Sequence, residues 1–344
     1  MSNSGEPTIV SRGAFPPTAG PLVDRFDRSK HKLRLSLTDR CNFRCHYCMP
    51  EDPEWLPKEA LLSFEELERI ARLFITRLGI DNIRLTGGEP LMRRGVADLV
   101  ARLDAQRAEG LERISMTSNG VPLRKHADDL VAAGLDDINI SIDSIDPERF
   151  RAMTGGGELD AVLGGIRAAR DAGLAMKLNA VVIRGDNEED IVPLTEWAMS
   201  EGVSLRFIEF MPLDARGGWQ PGRVVPEREI IERLAERHHV EALSRTREPA
   251  TYYRVDGDYR LGVISTVSNP FCSTCDRVRV TATGEIYPCL FSPVNTDLKT
   301  PLRDGASDDD LEHVVRGAVW RKGKGFVESA GYVQRAITMH GLGG

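Results

Sequence analysis

The sequence predicts an α/β protein, an open and curved barrel of six β/α units followed by a smaller C-terminal domain. Three observations carry this expectation. Short apolar strands alternate six times with amphipathic helices, and every strand exit bears a polar or glycine-rich segment. The six cysteines fall into two triplets, Cys41/Cys45/Cys48 and Cys272/Cys275/Cys289, one in each part. Strands that alternate with helices form parallel β/α units with right-handed crossovers. Six units are too few to close an eightfold barrel, so a partial, TIM-like (β/α)6 barrel is expected.

Residues 1–30 are rich in Ser, Gly, Pro and charge, without periodicity, and read as a mobile arm. The barrel is expected over 31–225 and the C-terminal domain over 226–344. Leu33, Leu35 and Leu37 alternate with polar residues, the period-two pattern of a strand. Ser63 and Glu66 have capping-box spacing, and Leu67, Ile70, Phe74 and Leu78 follow at helical spacing up to Gly79. Further strands are expected at Asn82–Leu85, Arg113–Thr117, Asp137–Ile142, Ala175–Val182 and Leu205–Glu209. Helices are expected at Leu123–Ala133, Leu159–Ala172 and, capped by Asn187, up to Met199. Residues 213–226, with two Pro and three Gly, read as a linker or lid. Beyond it come a helix at Pro226–His239, a hairpin through Asp256-Gly257-Asp258, a second hairpin through Thr283-Gly284, and a helix at Asp309–Arg321.

Composition narrows the function classes. A hydrophobic share of 41% over 344 residues is enough for a sizeable core. A net charge of −7 argues against non-specific partnership with nucleic acid or an acidic membrane. A polyanionic substrate would need a local basic pocket. No apolar run approaches the ~20 residues that span a bilayer, and the first residues lack a secretory pattern. No cysteine is left over from the triplets for a disulfide, which fits a reducing cytoplasm.

Chemistry at barrels of this kind gathers on the loops after the strands. The first exit carries Cys41-x3-Cys45-x2-Cys48, the second Thr86-Gly-Gly-Glu-Pro90, the third Thr117-Ser-Asn-Gly120. Ser141 and Asp143 close the fourth, Lys177 and Asn179 the fifth, and Glu209-Phe-Met-Pro212 the sixth. Ser141 and Asp143 share one face, lumen or outer shell. Gly87-Gly88 reads either as a tight turn or as bare backbone that meets a ligand. Thiolates are soft ligands that select iron–sulfur clusters or zinc. Three sulfurs on a tight arc would hold three irons of a cubane and leave the fourth open. The rival is a zinc knuckle with His46. At the other triplet, the second hairpin returns Cys289 to Cys275. A zinc ribbon there would want a fourth ligand, and no cysteine remains to supply it. Arg277 and Arg279 share a strand face beside it and suit bidentate phosphate recognition.

The cysteine loop with Gly87-Gly88-Glu89-Pro90 resembles the radical S-adenosylmethionine enzymes. Leu33–Pro50, Arg84–Arg93, Ile138–Asp143, Arg206–Pro212, the second triplet with Arg277-Val278-Arg279 and the closing Gly343-Gly344 resemble one branch of that family. Its members cyclise GTP at the first step of molybdenum cofactor biosynthesis. The similarity runs from about residue 25 to the end. It implies two [4Fe-4S] clusters, on Cys41, Cys45, Cys48 and on Cys272, Cys275, Cys289, the second cluster taking the guanine base. It implies S-adenosylmethionine held by Tyr47, Gly88, Ser141 and Met211. It implies GTP met by Arg34, Arg84, Thr117, Lys177, Arg277, Val278 and Arg279, with Arg206 nearby. It also implies an electron donor and a Gly343-Gly344 tail that reaches the active site. Asn82 departs from relatives that carry a basic residue there.

Two other function classes stay open on sequence: a peptide-modifying radical enzyme with an auxiliary cluster, and a non-enzymatic two-cluster or zinc protein. The sequence leaves monomer and homodimer open.

Overall fold

The computed structural model describes residues 15–246, 248–326 and 338–343. Six parallel strands line up in chain order: β1 (Lys32–Ser36), β2 (Asn82–Thr86), β3 (Arg113–Ser118), β4 (Asp137–Ser141), β5 (Ala175–Val182) and β6 (Leu205–Glu209). Helices α1 (Phe64–Leu78), α2 (Val96–Asp104), α3 (Leu123–Ala132), α4 (Pro147–Thr154), α5 (Leu159–Asp171) and α6 (Ile191–Ser200) connect them. On every strand one set of alternate residues is apolar and buried against these helices. Leu33, Leu35, Ile83, Leu85, Ile114, Ile138, Ile140, Leu178 and Phe207 belong to this core. The opposite set (Arg34, Ser36, Arg84, Thr86, Ser115, Thr117, Asn139, Ser141, Lys177, Asn179, Arg206) is polar and faces the concave side. Ser141 and Asp143 therefore belong to the lumen.

Local signals account for the boundaries. Ser63 and Glu66 form the reciprocal capping box of α1, and Gly79 ends it with φ 71°. Asn187 stands at the N-cap position of a 3-10 turn, Glu188–Asp190, that leads into α6, but its side chain makes no capping hydrogen bond. Its amide donates to the carbonyls of Asp143 and Val181, both at 2.8 Å, so it ties β4 to β5, and α6 starts only at Ile191.

The C-terminal part continues the barrel sheet at both edges. After α7 (Glu227–Ala235) come β7 (Val240–Ala242), β8 (Thr251–Val255) and β9 (Tyr259–Ile264), and β9 pairs parallel with β6. β10 (Arg277–Val280) pairs parallel with β1, and β11 (Glu285–Tyr287) and β12 (Thr296–Asp297) extend that edge. The result is one 12-stranded sheet in which eight successive strands, β10-β1 through β6-β9, are parallel. Helices α8 (Lys299–Arg303), α9 (Asp308–Trp320) and the short α10 (Met339–Leu342) complete the described chain.

The expected arm is corrected by its burial. Residues 1–14 lie outside the described residues, but Leu22, Asp24 and Lys30 are wholly buried. Leu22 and Leu78 share a main-chain hydrogen bond of 2.8 Å, and Asp24 pairs with Lys30 at 2.8 Å. The charges that made this stretch read as disordered are each other's partners.

Candidate active site

The first cysteine loop is held by the glycines after β2. Gly88 N donates to Thr38 O and Glu89 N to Arg40 O, both at 2.8 Å. A Cβ on Gly87 would lie 2.6 Å from Thr38 O, and one on Gly88 would lie 2.5 Å from Arg40 O. Both glycines are thus required by the close approach of the backbone that leads into the cysteine loop. Glu89 is fully buried and accepts hydrogen bonds from Asn119 N (2.7 Å), Ser118 Oγ (3.0 Å) and Leu91 N (3.1 Å). Burial pushes its carboxyl up to about 7 against these donors. Asn119, which reads in sequence as a plain turn residue, places its Nδ2 3.8 Å from Cys41 Sγ and 2.7 Å from Asn42 Oδ1.

The six cysteines are free thiols. Burial pushes the Cys41 thiol up to about 11 and Cys48 up to about 12. Cys45 rises further, through burial first and then the neighbouring Cys48, Asp143 and Cys41. Three sulfurs that disfavour one another's charge make a donor set that a cationic iron–sulfur centre would relieve, so the residues fit such a group. Among the described residues, no three His, Cys, Asp or Glu side chains gather as ligands of a single metal ion. His46, the candidate fourth zinc ligand, turns its Nε2 to Asp186 at 3.3 Å instead.

Tyr47 lies within this loop, and Gly88 packs against the backbone that leads into it. The Tyr47 hydroxyl donates to Asp143 Oδ2 at 2.6 Å, and Val181 N donates to Oδ1 at 2.8 Å. Burial raises the Asp143 carboxyl to about 6 although both donors lower it. Ser141 ends β4 two residues earlier on the same face. Met211 packs with Cys289 and Met339 against a separate apolar cluster of Leu213, Tyr287, Phe291 and Leu342.

The concave side is cationic. The parallel register sets Arg279, Arg34 and Arg84 side by side on β10, β1 and β2. Arg34 is depressed by burial first, then by Arg279, Arg277, Arg84 and Arg206. Burial likewise brings Arg84 and Arg279 down to about 10. Among the described residues the counter-charges are Asp137, 3.7 Å from Arg84 and 2.6 Å from Arg113, and Glu248, which acts on Lys177 and Arg206. Among the described residues, the buried Nε atoms of Arg277 and Arg279 have no hydrogen-bond partner. Arg206 bonds Asn179 at 3.0 Å and Asn139 at 2.6 Å, and Thr117 and Lys177 flank Asn139 in register. Val278 differs from the other expected nucleotide contacts. Its side chain is wholly buried in the core on the opposite face, which leaves only its main chain toward the neighbouring strands. Asn82 stands beside Lys32 in register.

The second triplet borders this surface. Cys272 and Cys275 precede β10, and Cys289 follows β11. Burial raises the Cys275 thiol, but Lys322, Arg277 and Lys30 outweigh it and hold the group well below the usual range. The tail arrives from the other side. Met339 N donates to Leu213 O at 3.2 Å, and His340 Nδ1 is 3.4 Å from Cys48 O. Gly343, at φ +77°, sits where a Cβ would collide with Thr86 Oγ1 and lie 3.0 Å from Ser36 Cβ. Gly344 lies outside the described residues.

An open parallel barrel with three thiols on its first loop and glycines after its second strand defines a radical S-adenosylmethionine enzyme. The Radical SAM superfamily profile matches residues 35–198, and the Molybdenum Cofactor Synthesis C profile matches 203–327. The chain belongs to the GTP 3′,8-cyclase family. It is 45% identical to a GTP 3′,8-cyclase of Mycobacterium sp. (strain KMS), over 99% of this chain and 98% of that one. A GTP 3′,8-cyclase of Corynebacterium glutamicum is 44% identical over 100% of this chain and 95% of its own length. One from Streptomyces coelicolor is 41% identical over 98% of this chain and 100% of its own. Among solved structures, Streptococcus suis SuiB bound to its precursor peptide SuiA superposes with a TM-score of 0.62. At 12% identity, over 85% of this chain and 67% of that one, the likeness is one of fold. Membership brings an iron–sulfur cluster and S-adenosylmethionine. No helix among the described residues is long and apolar enough to cross a membrane.

Proposed function

We propose that this chain is a GTP 3′,8-cyclase of the lyase class, in which GTP lies on the cationic lumen between the two cysteine triplets. The hydrogen at ribose C3′ is removed and C3′ joins guanine C8, which gives (8S)-3′,8-cyclo-7,8-dihydroguanosine 5′-triphosphate. When bound at the first triplet, the cluster and S-adenosylmethionine supply the 5′-deoxyadenosyl radical, with one electron from an external donor. The observation that carries the reading is the Arg279–Arg34–Arg84 row with the orphaned Nε atoms of Arg277 and Arg279. Buried donors without partners in an otherwise acidic protein call for a polyanionic ligand.

In this reading Arg34, Arg84, Arg277 and Arg279 bind the nucleotide, and Lys177 and Thr117 border it from β5 and β3. Tyr47, Gly88, Ser141 and Met211 hold S-adenosylmethionine. Asp143 fixes the Tyr47 ring through its 2.6 Å hydrogen bond. The docked tail covers the exits of β1 and β2, which excludes water that would quench a radical. Cys272, Cys275 and Cys289 hold a second [4Fe-4S] cluster that takes the base. The division of labour follows the sequence, with 31–225 for the radical source and 226–344 for the base. Six free thiols suit the cytoplasm. Iron and sulfide counts on anaerobically purified protein test the pair of clusters, since two cubanes contain about eight of each. About four of each would remove the second cluster.

A further inference from the structure

Behind the second triplet, two cations share one carboxylate. Asp24 accepts Arg28 Nε at 2.7 Å and Lys30 Nζ at 2.8 Å. Arg28 spends its other nitrogens on the carbonyls of Cys272 (2.8 Å), Gly323 (2.7 Å) and Lys324 (2.5 Å). Lys30 also donates to the Cys275 carbonyl at 2.8 Å. These two cations therefore have their counter-charge, and they hold the main chain of the cysteine loop.

Lys322 is different. It follows α9, is 2% exposed, and donates to Cys275 Sγ at 3.3 Å and to the Arg277 carbonyl at 3.3 Å. Among the described residues no carboxylate pairs with it. A buried ammonium with no carboxylate partner is costly unless a negative group faces it, and the group it faces is the sulfur of a cluster ligand. Arg277 Nη2 adds a second, longer contact of 3.9 Å to the same sulfur. At the first triplet the buried carboxylates Asp143 and Glu89 are joined to the loop through Tyr47 and Asn119, and the cation there, Arg44, donates to the Cys41 carbonyl at 2.8 Å and not to a sulfur.

We infer that Lys322 is a positioning residue whose buried ammonium, through its hydrogen bond to the Cys275 sulfur, raises the reduction potential of the cluster held there. The inference rests on the reading that the second triplet carries a cluster. A hydrogen bond and a positive charge at a ligand sulfur favour the reduced, more negative state of such a cluster.

The test is a redox titration of the full-length, anaerobically reconstituted protein, monitored by electron paramagnetic resonance, for the parent, Lys322→Gln and Lys322→Arg. The first cluster serves as internal reference. Lys322→Gln should keep about eight irons. At a fixed poise the reduced-to-oxidised ratio of its second cluster should fall at least tenfold, a downward shift of about 59 mV for a one-electron couple. Lys322→Arg should match the parent. An unchanged potential in Lys322→Gln overturns the inference. If Lys322→Gln loses four irons, the arginine variant decides: retention at the parent potential upholds the need for charge, and loss in both variants overturns it. About four irons in the parent itself would sink the second cluster, and the inference with it.

Discussion

Both cysteine triplets present three thiols from short loops, yet among the described residues the second has a buried ammonium on one of its sulfurs and the first has none in contact. Burial, with smaller contributions from Asp143 and Glu89, pushes the Cys41, Cys45 and Cys48 thiols up. Cys275 looks toward Lys322 and Arg277 and is held down. The small molecules proposed for the two ends differ in the same sense. S-adenosylmethionine brings a sulfonium and an amino group, which carboxylates favour, and GTP brings a triphosphate, which ammonium and guanidinium groups favour.

Breaking each side should give different failures. The largest effect is expected for Cys45→Ser, which should abolish formation of 5′-deoxyadenosine; cleavage at the parent rate would show that this loop is not the radical source. Cys275→Ser should leave some uncoupled S-adenosylmethionine cleavage while cyclised nucleotide disappears. Normal product from that variant would reduce the second triplet to a structural element.

Asp24→Asn strikes the bracket behind the second triplet and leaves Lys30 and Arg28 without their shared carboxylate. Breaking one partner of a buried ion pair costs about 3–5 kcal/mol, which thermal melts under anaerobic conditions would register. Burial raises the Asp24 carboxyl, but Lys30 and Arg28 outweigh it and leave the group below its usual value. Its contribution is therefore complete above the ordinary carboxylate pKa of about 3.9 and is lost as pH falls through the lower folded value. The gap between parent and variant should narrow over that acid range. A gap that persists unchanged would assign the defect to packing.

Arg279→Ala should weaken GTP binding by roughly 1.5–3 kcal/mol, about tenfold or more, with iron content and spectra intact. Calorimetry that finds parent affinity would remove this row from the nucleotide. The smallest effect belongs to the tail. A side chain at φ +77° costs roughly 1–2 kcal/mol, so Gly343→Ala should lower turnover about five- to thirtyfold and leave GTP affinity unchanged. An equal loss in both quantities would make the tail a binding element.

Much of this was legible in the residues. The six barrel strands, the α1 capping box and both triplets follow from local pattern, because period and cap chemistry act over a few residues. The long-range features did not follow. Nothing near Lys32 signals that β10, some 245 residues later, adds in parallel to β1, and without that pairing the Arg279–Arg34–Arg84 row cannot be seen. Asp24 and Lys30 read as solvated charges because the cysteine loop they support is distant in sequence. Asn187 had the spacing of a cap but is pinned across two strands. Val278 was drawn in by its motif, although alternation along β10 turns it to the core.

The most direct measurement of GTP cyclisation uses GTP deuterated at ribose C3′. The protein would be incubated anaerobically with this substrate, S-adenosylmethionine and a reductant, and both products would be analysed by mass. Deuterium should appear in 5′-deoxyadenosine, together with a nucleotide that has lost the label and gained the C3′–C8 bond. Label-free 5′-deoxyadenosine with unchanged GTP would contradict cyclisation.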